Sequence, residues 1–336
     1  MKLTIAIPTY NRNKILGANL AVLLPQLQEF AAVCRVHIFD NCSPTPVADT
    51  LGPLLEAFPE IKCTLTRNRV NVGGNANIMH CFEACETEWI WVMGDDDTVT
   101  AGAVAAVLRS LQRYPEALFF SYSTAAYPIA ATTSCRGLAG FVGGIGSFSN
   151  TLFLSTSIYR IGALVPTLRV GYQWAYSGAP HLAMLLSCLG ERSQTCFCEE
   201  EIVIQNDADD PLERWSLIAY AVAAGTLLDL PLPQPVREML AAKMLVTFPT
   251  TEQIVMQLVL QAVKDKNSHP ALFYYQQILD GLYRFDTSPV RRLKRRFYRV
   301  LLRFPRLGHA FVALAYRATR KRAIDPSLLH DRFARM

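Results

Sequence analysis

The first 125 residues alternate short runs of β-branched and aromatic side chains with longer stretches of helical periodicity. The short runs predict four strands, at residues 3–7, 35–39, 62–66 and 88–93. The longer stretches predict helices at about 13–30, 46–57, 75–87 and 101–114. Strands that alternate with helices in this way indicate a mostly parallel sheet with helices on both faces.

The pattern weakens after residue 125. Residues 132–150 are rich in Gly, Ser and Thr, which predicts a flexible loop. A helix beginning with Pro is predicted at 180–190, and from about residue 213 the chain is expected to be mostly helical.

Composition limits the class of protein. The chain has 336 residues, is 51% hydrophobic and carries nine scattered cysteines without an apolar leader, which favours a globular protein in a reducing, cytoplasmic setting. The uncharged stretches 117–135 and 137–159 contain too many Gly, Ser, Thr and Pro residues to predict a membrane span.

Charge is segregated along the chain. Residues 286–336 carry 14 Lys/Arg and 3 Asp/Glu, a net charge of +11, which leaves −6 for residues 1–285. Within the tail, Leu293, Phe297, Val300, Leu301 and Phe304 fall on one helical stripe. Basic residues beside such a stripe predict docking on an anionic membrane surface rather than on nucleic acid. The alternative is a stripe that packs on the protein.

Polar and charged residues follow each of the four predicted strands, in the segments 8–12, 40–44, 67–74 and 94–97. The ligand crevice of an open α/β sheet lies beyond the carboxyl ends of its strands, so these segments are expected to converge. Asp95 and Asp97 have Asp-x-Asp spacing. In an extended strand end, their side chains would share one side and that of Asp96 would lie opposite.

Four motifs carry a family resemblance. They are IAIPTYNR at 5–12, DNCS at 40–43, NVGGNAN at 71–77 and WVMGDDD at 91–97. With these motifs the sequence resembles the family 2 glycosyltransferases of the GT-A fold, and most of all the abequosyltransferase-like group of bacterial surface-polysaccharide enzymes. The resemblance is strong over residues 3–115 and weak over 116–220. It implies a Rossmann-like, mostly parallel sheet followed by a mainly helical region.

The resemblance also implies a nucleotide-sugar site at the strand ends. Its expected donor contacts are Pro8, Thr9, Tyr10, Arg12, Asp40, Arg69, Asn71, Gly73, Asn77, Asp95 and Asp96. A divalent cation, Mn²⁺ or Mg²⁺, is expected on Asp95 and Asp97, because it would stabilise charge on the leaving pyrophosphate. The division of the three aspartates between ribose and metal stays open. A solvated turn before a helix is the alternative for all three.

The resemblance implies an inverting reaction, which needs a general base for the acceptor hydroxyl. Relatives place an acidic residue before a helix in the second half, where this chain has Ser177-Gly178-Ala179-Pro180-His181. His181 is one candidate because of its ordinary pKa, and a structural histidine at a helix terminus is its alternative. Asp207, Asp209 and Asp210 are further candidates.

These observations predict an enzyme with a GT-A catalytic domain at 1–212, divided into a donor-binding half, 1–115, and an acceptor half, 116–212. A helical region, 213–285, and a basic amphipathic tail, 286–336, follow. The expected activity is sugar transfer to a glycan acceptor, in particular a lipid-linked one, at the inner face of the cytoplasmic membrane. The alternatives are a sugar nucleotidyltransferase, or an inactive membrane-docked assembly protein.

Overall fold

A computed structural model describes residues 2–204, 224–246, 251–286 and 288–319. The chain divides into two compact units. The first comprises Met1–Ser216 with Ala223–Phe248, and the second comprises Leu217–Val222 with Pro249–Met336.

The first unit is built on a mixed sheet. Its described strands are β1 (Leu3–Thr9), β2 (Cys34–Asp40), β3 (Lys62–Arg67), β4 (Trp89–Val92), β5 (Thr98–Val99), β6 (Ala117–Ser123), β7 (Thr133–Arg136), β8 (Ser157–Arg160), β9 (Gln194–Glu201) and β10 (Val203–Ile204). Eight of these described strands form one sheet in the order β3-β2-β1-β4-β8-β6-β9-β7, while β5 and β10 pair separately. The strands β3, β2, β1 and β4 are mutually parallel, and β9 is parallel to β6. β8 is antiparallel to both of its neighbours, and β7 is antiparallel to β9.

Helices cover both faces of this sheet. The described α-helices of the first unit are α1 (Asn13–Leu27), α2 (Val47–Glu56), α3 (Gly74–Glu83), α4 (Ala103–Arg113), α5 (Gly137–Gly144), α6 (Phe148–Leu152), α7 (Ile161–Leu164), α8 (Leu168–Gln173), α9 (Pro180–Cys188) and α10 (Gln234–Val246). Leu16, Leu20 and Leu23 of α1 are fully buried in one core that also contains residues of α2 and α4. Their spacing of three and four residues directs them to one side of the helix. On the other face, α3 packs on β1 and β2 and also contacts α8 and α9. The predicted fold class is confirmed.

The predicted loop at 132–150 is wrong, because this segment contains β7, α5 and α6. The reason is close packing, which local composition does not show. A side chain at Gly144 would come within 2.7 Å of both the Cys135 sulfur and the Phe197 ring. The glycine therefore allows α5 to lie directly against β7 and β9.

The described part of the second unit is helical, with α11 (Thr251–Lys264), α12 (His269–Gly281), α13 (Pro289–Arg303) and α14 (Pro305–Thr319). Ser288 caps α13 by accepting a hydrogen bond from the Arg291 amide, and Pro289 occupies the first turn. A Cβ at Gly308 would lie 2.6 Å from the Leu301 carbonyl oxygen, so this glycine lets α14 approach α13. In the described part of the chain, no helix is both long and apolar enough to cross a membrane.

Candidate active site

The three aspartates lie in a turn just beyond β4, not in the strand. Thr9 Oγ1 donates to Asp95 Oδ2 at 2.6 Å, and an Arg12 nitrogen lies 3.0 Å from Asp95 Oδ1 and 3.0 Å from Asp96 Oδ2. The Asn19 amide donates to the Asp95 carbonyl at 2.7 Å. Residues at the end of β1 and after it therefore hold the turn that follows β4, because the two strands are parallel neighbours.

Asp97 is held from the other side of the turn. Ser155 Oγ donates to Asp97 Oδ2 at 2.5 Å and accepts from the Gly94 amide at 2.8 Å. Asp95 and Asp96 therefore share Arg12, while Asp97 turns to Ser155. The expectation that Asp95 and Asp97 share one side is wrong, because β4 ends at Val92 and the period of two does not extend into the turn.

Burial and hydrogen bonding shift the pKa of Asp95 in opposite directions. Burial disfavours its charged form, and the Thr9 hydroxyl and the Arg12 cation offset this cost only in part. The net result is a raised pKa for Asp95. Both of its carboxylate oxygens are engaged by protein donors, which suits a residue that positions Arg12.

Asp40 lies at the end of β2 and is completely buried. Its carboxylate accepts from the Ser43 amide at 2.8 Å, from the Val47 amide at 3.4 Å and from the Arg67 guanidinium. Desolvation acts to raise the pKa of Asp40, but hydrogen bonds from Ser43, Arg67 and Val47 outweigh it and lower that pKa. Asp40 thus holds together the ends of β2 and β3 and the start of α2. Arg67, whose side chain is 35% exposed, is the member of this group that reaches solvent.

Four asparagines from neighbouring segments hold the turn before α3 in place. Asn41 Oδ1 accepts from the Asn68 side chain and from the Val72 amide, both at 3.0 Å, and the Asn41 amide donates to Asn71 at 2.8 Å. Asn71 in turn accepts from the Gly73 amide at 2.8 Å. Asn77 accepts from Asn68 at 2.9 Å and is buried.

This network fixes the entry to α3. Gly73 has a φ of +85°, a conformation that favours glycine, and it immediately precedes the first helical residue. The first amides of α3 therefore begin at an exposed turn, where the positive end of the helix favours an anion.

The donor set fits a divalent cation. A Cβ placed on Gly94 would lie 2.6 Å from Asp97 Oδ2 and 3.0 Å from Asp96 Oδ1, so the two oxygens converge on the space beside this glycine. Among the described residues, no group of three His, Cys, Asp or Glu side chains forms a protein-only metal site. Mg²⁺ and similar cations commonly use one or two carboxylates and complete their coordination with waters and substrate phosphates.

His181 is not placed at this edge. It is 2% exposed in the first turn of α9, and its ring packs edge-on against Tyr159 with 6.3 Å between ring centroids. Burial lowers the pKa of His181 to about 3, although the backbone of Leu152 partly counteracts it. A base must reach an acceptor hydroxyl, so the burial of His181 argues for the structural alternative. Asp207, Asp209 and Asp210 lie outside the described residues.

The remaining predicted donor contacts lie along the same edge. Pro8 is within β1, and Tyr10 follows it with 43% of its surface exposed. Arg69 is exposed between β3 and the asparagine turn, and its carbonyl accepts from the Cys42 thiol at 3.7 Å.

Sequence reasoning missed several residues of this edge. Arg67 ends β3 and holds Asp40, a position that the strand pattern could have indicated. The contact between Ser155 and Asp97 spans 58 residues and carries no sequence signal.

Comparisons with known proteins agree with this fold. Residues 4–126 match the family model of glycosyl transferase family 2. The crystal structure of S. aureus TarS 1-349 has a TM-score of 0.62 at 14% identity, over 93% of this chain and 91% of that chain. Its complex with UDP-GlcNAc has the same TM-score and coverage at 13% identity. The mannosyltransferase PcManGT from Pyrobaculum calidifontis, in complex with GDP-Man and Mn²⁺, has a TM-score of 0.53 at 12% identity, over 95% of this chain and 88% of that chain.

No curated protein sequence gives a significant match. The chain has a GT-A-like fold with a helical C-terminal region, and its residues 4–126 match a family 2 glycosyltransferase domain. Together these findings support a glycosyltransferase.

Proposed function

We propose that this protein transfers a sugar from a nucleotide-sugar donor to a glycan acceptor. The observation that carries the proposal is the aspartate turn at the carboxyl edge of the sheet, where Thr9, Arg12 and Ser155 hold three carboxylates. The family match over residues 4–126 includes the turn itself. Two neighbours of the same fold are described with UDP-GlcNAc and with GDP-Man, which supports a nucleotide-sugar donor.

Different residues of this edge would contact different parts of the donor. The Asp40–Arg67 pair and Tyr10 would receive the nucleoside, with Arg67 offering donors and Tyr10 an exposed aromatic face. The start of α3, after Asn71 and Gly73, would receive the diphosphate together with Arg69. Asp95 acts by orienting Arg12.

A divalent cation would be held by Asp97 and Asp96, whose oxygens converge beside Gly94. When bound, it supplies positive charge that stabilises the leaving nucleoside diphosphate. Ser155 keeps Asp97 in place by its hydrogen bond. The Mn²⁺ in the mannosyltransferase neighbour supports this part of the proposal.

For the acceptor side we propose an inverting displacement, in which a base removes the proton of the attacking hydroxyl. The burial of His181 leaves Asp207, with Asp209 and Asp210 beside it in the sequence, as our candidates for that base. The resemblance to surface-polysaccharide enzymes supports a glycan acceptor, in particular a lipid-linked one, and a place at the inner face of the cytoplasmic membrane.

The test begins with ligand-induced thermal stabilisation of the full chain by UDP-, GDP-, CDP- and dTDP-sugars, with and without Mn²⁺. A ligand that binds the folded state raises stability by RT ln(1 + [L]/Kd). The donor that stabilises the protein is then used to measure metal-dependent hydrolysis.

Asp97→Asn is expected to reduce hydrolysis about 10²-fold or more, because charge at the leaving group is no longer stabilised. The matched control is Asp49→Asn, an exposed acid in the first turn of α2, which is expected to keep full activity. Stabilisation by none of the four donors, or equal hydrolysis by Asp97→Asn and the wild type, would overturn the proposal.

A further inference from the structure

The second unit exposes a row of large apolar side chains on two consecutive helices. We name this surface the outer apolar face. It consists of Leu293, Phe297 and Val300 on α13, Phe304 between the two helices, and Leu307, Phe311 and Leu314 on α14. Their exposed fractions run from 40% for Phe311 to 70% for Leu293. The Phe297 and Phe311 rings meet edge to face with centroids 5.1 Å apart, so the two helices form one continuous surface.

The spacing shows that this exposure is systematic. Residues 293, 297 and 300 follow the i, i+4 and i+7 spacing of one face of α13, and 307, 311 and 314 repeat this spacing on α14. Phe304 stands between them as the residue that ends α13. The core-facing side of α13 uses different residues, with Tyr298, Leu301 and Leu302 buried. Of the predicted stripe, only Leu301 packs inward. A helix of a globular protein normally presents polar residues to solvent, and here large apolar residues take that place.

The basic residues of α13 and of the first turn of α14 include two groups. The first group has partners within the unit. Arg291 and Arg295 lie 3.8 Å and 3.6 Å from the Asp286 carboxylate, and Lys294 lies 3.4 Å from Glu252. These residues contribute to the fold of the unit.

The second group borders the outer apolar face. Arg296, Arg303 and Arg306 are exposed, and among the described residues none of them has an ion-pair or hydrogen-bond partner. At about 100° per residue, Arg296 and Arg303 lie on the same flank of the apolar row. The surface therefore combines uncovered apolar area with unpaired positive charge along one border.

We propose that the outer apolar face docks on a membrane surface rich in anionic lipid. An interfacial helix inserts its apolar side chains at the boundary of headgroups and acyl chains, while flanking arginines meet lipid phosphates. A second copy of the chain is a poorer occupant, because a symmetric contact would bring the arginine borders of both copies together. Nucleic acid would leave the phenylalanines and leucines without an apolar environment. The inference does not depend on sugar transfer.

The experiment is co-sedimentation of the full chain with vesicles of phosphatidylcholine alone and with 30% phosphatidylglycerol. We expect binding to the anionic vesicles, weakened but not abolished by high salt, because the apolar contribution is not screened. A triple variant, Leu293→Ser/Phe304→Ser/Leu314→Ser, should lower the partition coefficient between vesicles and water about tenfold or more. The matched control, Phe273→Ser, removes an aromatic residue of α12 that is 59% exposed and lies outside the face, and it should bind like the wild type.

A second comparison tests the contribution of charge. The double variant Arg296→Gln/Arg303→Gln is compared with Lys264→Gln/Lys266→Gln, which changes two exposed lysines at the end of α11. Only the arginine pair should reduce the salt-sensitive part of binding, by about tenfold. Circular dichroism and donor hydrolysis without vesicles check that each variant is folded. No binding of the wild type to anionic vesicles, or equal loss in face and control variants, would refute the proposal. A concentration-dependent dimer that the serine variants dissociate would refute it too, since the face would then join two copies.

Discussion

Gly94 shows how a single residue shapes the candidate site. The oxygens of Asp97 and Asp96 lie 2.6 Å and 3.0 Å from the point where a Cβ would stand. Gly94→Ala is therefore expected to push both carboxylates aside and reduce metal-dependent donor hydrolysis about 10-fold or more while the chain stays folded. Mn²⁺ affinity measured by calorimetry in the presence of donor should fall in parallel.

The matched control is Gly162→Ala, because a Cβ there meets no atom within 4 Å. It should leave hydrolysis unchanged. Normal activity in Gly94→Ala would show that the space beside this glycine is not used.

Asp40 and Asp95 are both buried carboxylates with opposite effects on stability. The pKa of Asp40 is lowered from 3.8 in the folded protein, so its charge stabilises the fold above about pH 4, and this contribution is lost as the pH falls through the lowered value. The pKa of Asp95 is raised, so its charge opposes folding at neutral pH and the cost disappears as the pH falls through the raised value.

Asp40→Asn is expected to lower the free energy of unfolding at pH 7 by about 2–4 kcal/mol. The change removes the ion pair with Arg67, and it replaces one acceptor oxygen by an NH₂ group that cannot accept from the Val47 backbone amide. Asp95→Asn should keep or raise the melting temperature at pH 7 and still impair activity, because Arg12 loses its anchor. Thermal unfolding at pH 7 checks both. A larger loss of stability in Asp95→Asn than in Asp40→Asn would contradict the assignment.

The residues of the site were partly predictable from the sequence. Thr9, Arg12 and the aspartates could be placed together because each follows a predicted strand of a parallel sheet. The structure confirms this with hydrogen bonds from Thr9 and Arg12 to Asp95 and from Arg12 to Asp96. The direction of each aspartate could not be predicted, because it depends on a turn and on Ser155. Likewise, a strand-end position did not reveal that Asp40 is closed off from solvent by Arg67 and two backbone amides.

At the level of elements, α9 carries a histidine that makes stability depend on pH. The pKa of His181 is about 3 in the folded chain against 6.5 for an ordinary histidine. Between these values the unfolded chain binds a proton that the folded chain excludes, so stability falls as the pH falls from 6.5. From pH 7 to pH 5 this contribution amounts to about 2 kcal/mol.

His181→Leu should abolish that contribution, whereas His269→Gln, an exposed histidine of α12, should leave it intact. Denaturant unfolding at pH 7 and pH 5 measures the difference. The kcat of folded His181→Leu at pH 7 should stay within about threefold of wild type, against the 10²–10⁴-fold loss typical of a removed base. A loss of that size would restore His181 as the base.

The elements divide into those that local pattern predicts and those that need tertiary context. The first four strands end within about two residues of their predicted ends, because β-branched runs between helices mark buried parallel strands. β8 has four residues and pairs antiparallel in the middle of the sheet, and no local pattern distinguishes it from a loop. The glycines of α5 lower helix propensity, but packing of Gly144 against β7 and β9 outweighs that local cost.

At the scale of the whole molecule, the net positive charge and the candidate active site lie in different parts of the chain. The residues proposed to bind nucleotide and metal precede residue 100, Ser155 supports one of them from further along the chain, and the net charge of residues 1–285 is −6. The net charge of +11 and the outer apolar face both belong to residues 286–336. Catalysis and membrane docking can therefore be tested by separate substitutions in one full-length protein.

The place of β8 in the sheet bears on attempts to exchange parts between relatives. The family match ends at residue 126, yet β8, from Ser157 to Arg160, separates β4 from β6. A fragment cut at the end of the match would leave both of those strands with open hydrogen-bonding edges, which invite edge-to-edge aggregation. It would also lack the Ser155 hydrogen bond to Asp97. A chimera intended to change sugar specificity should therefore exchange residues 3–201 as one block.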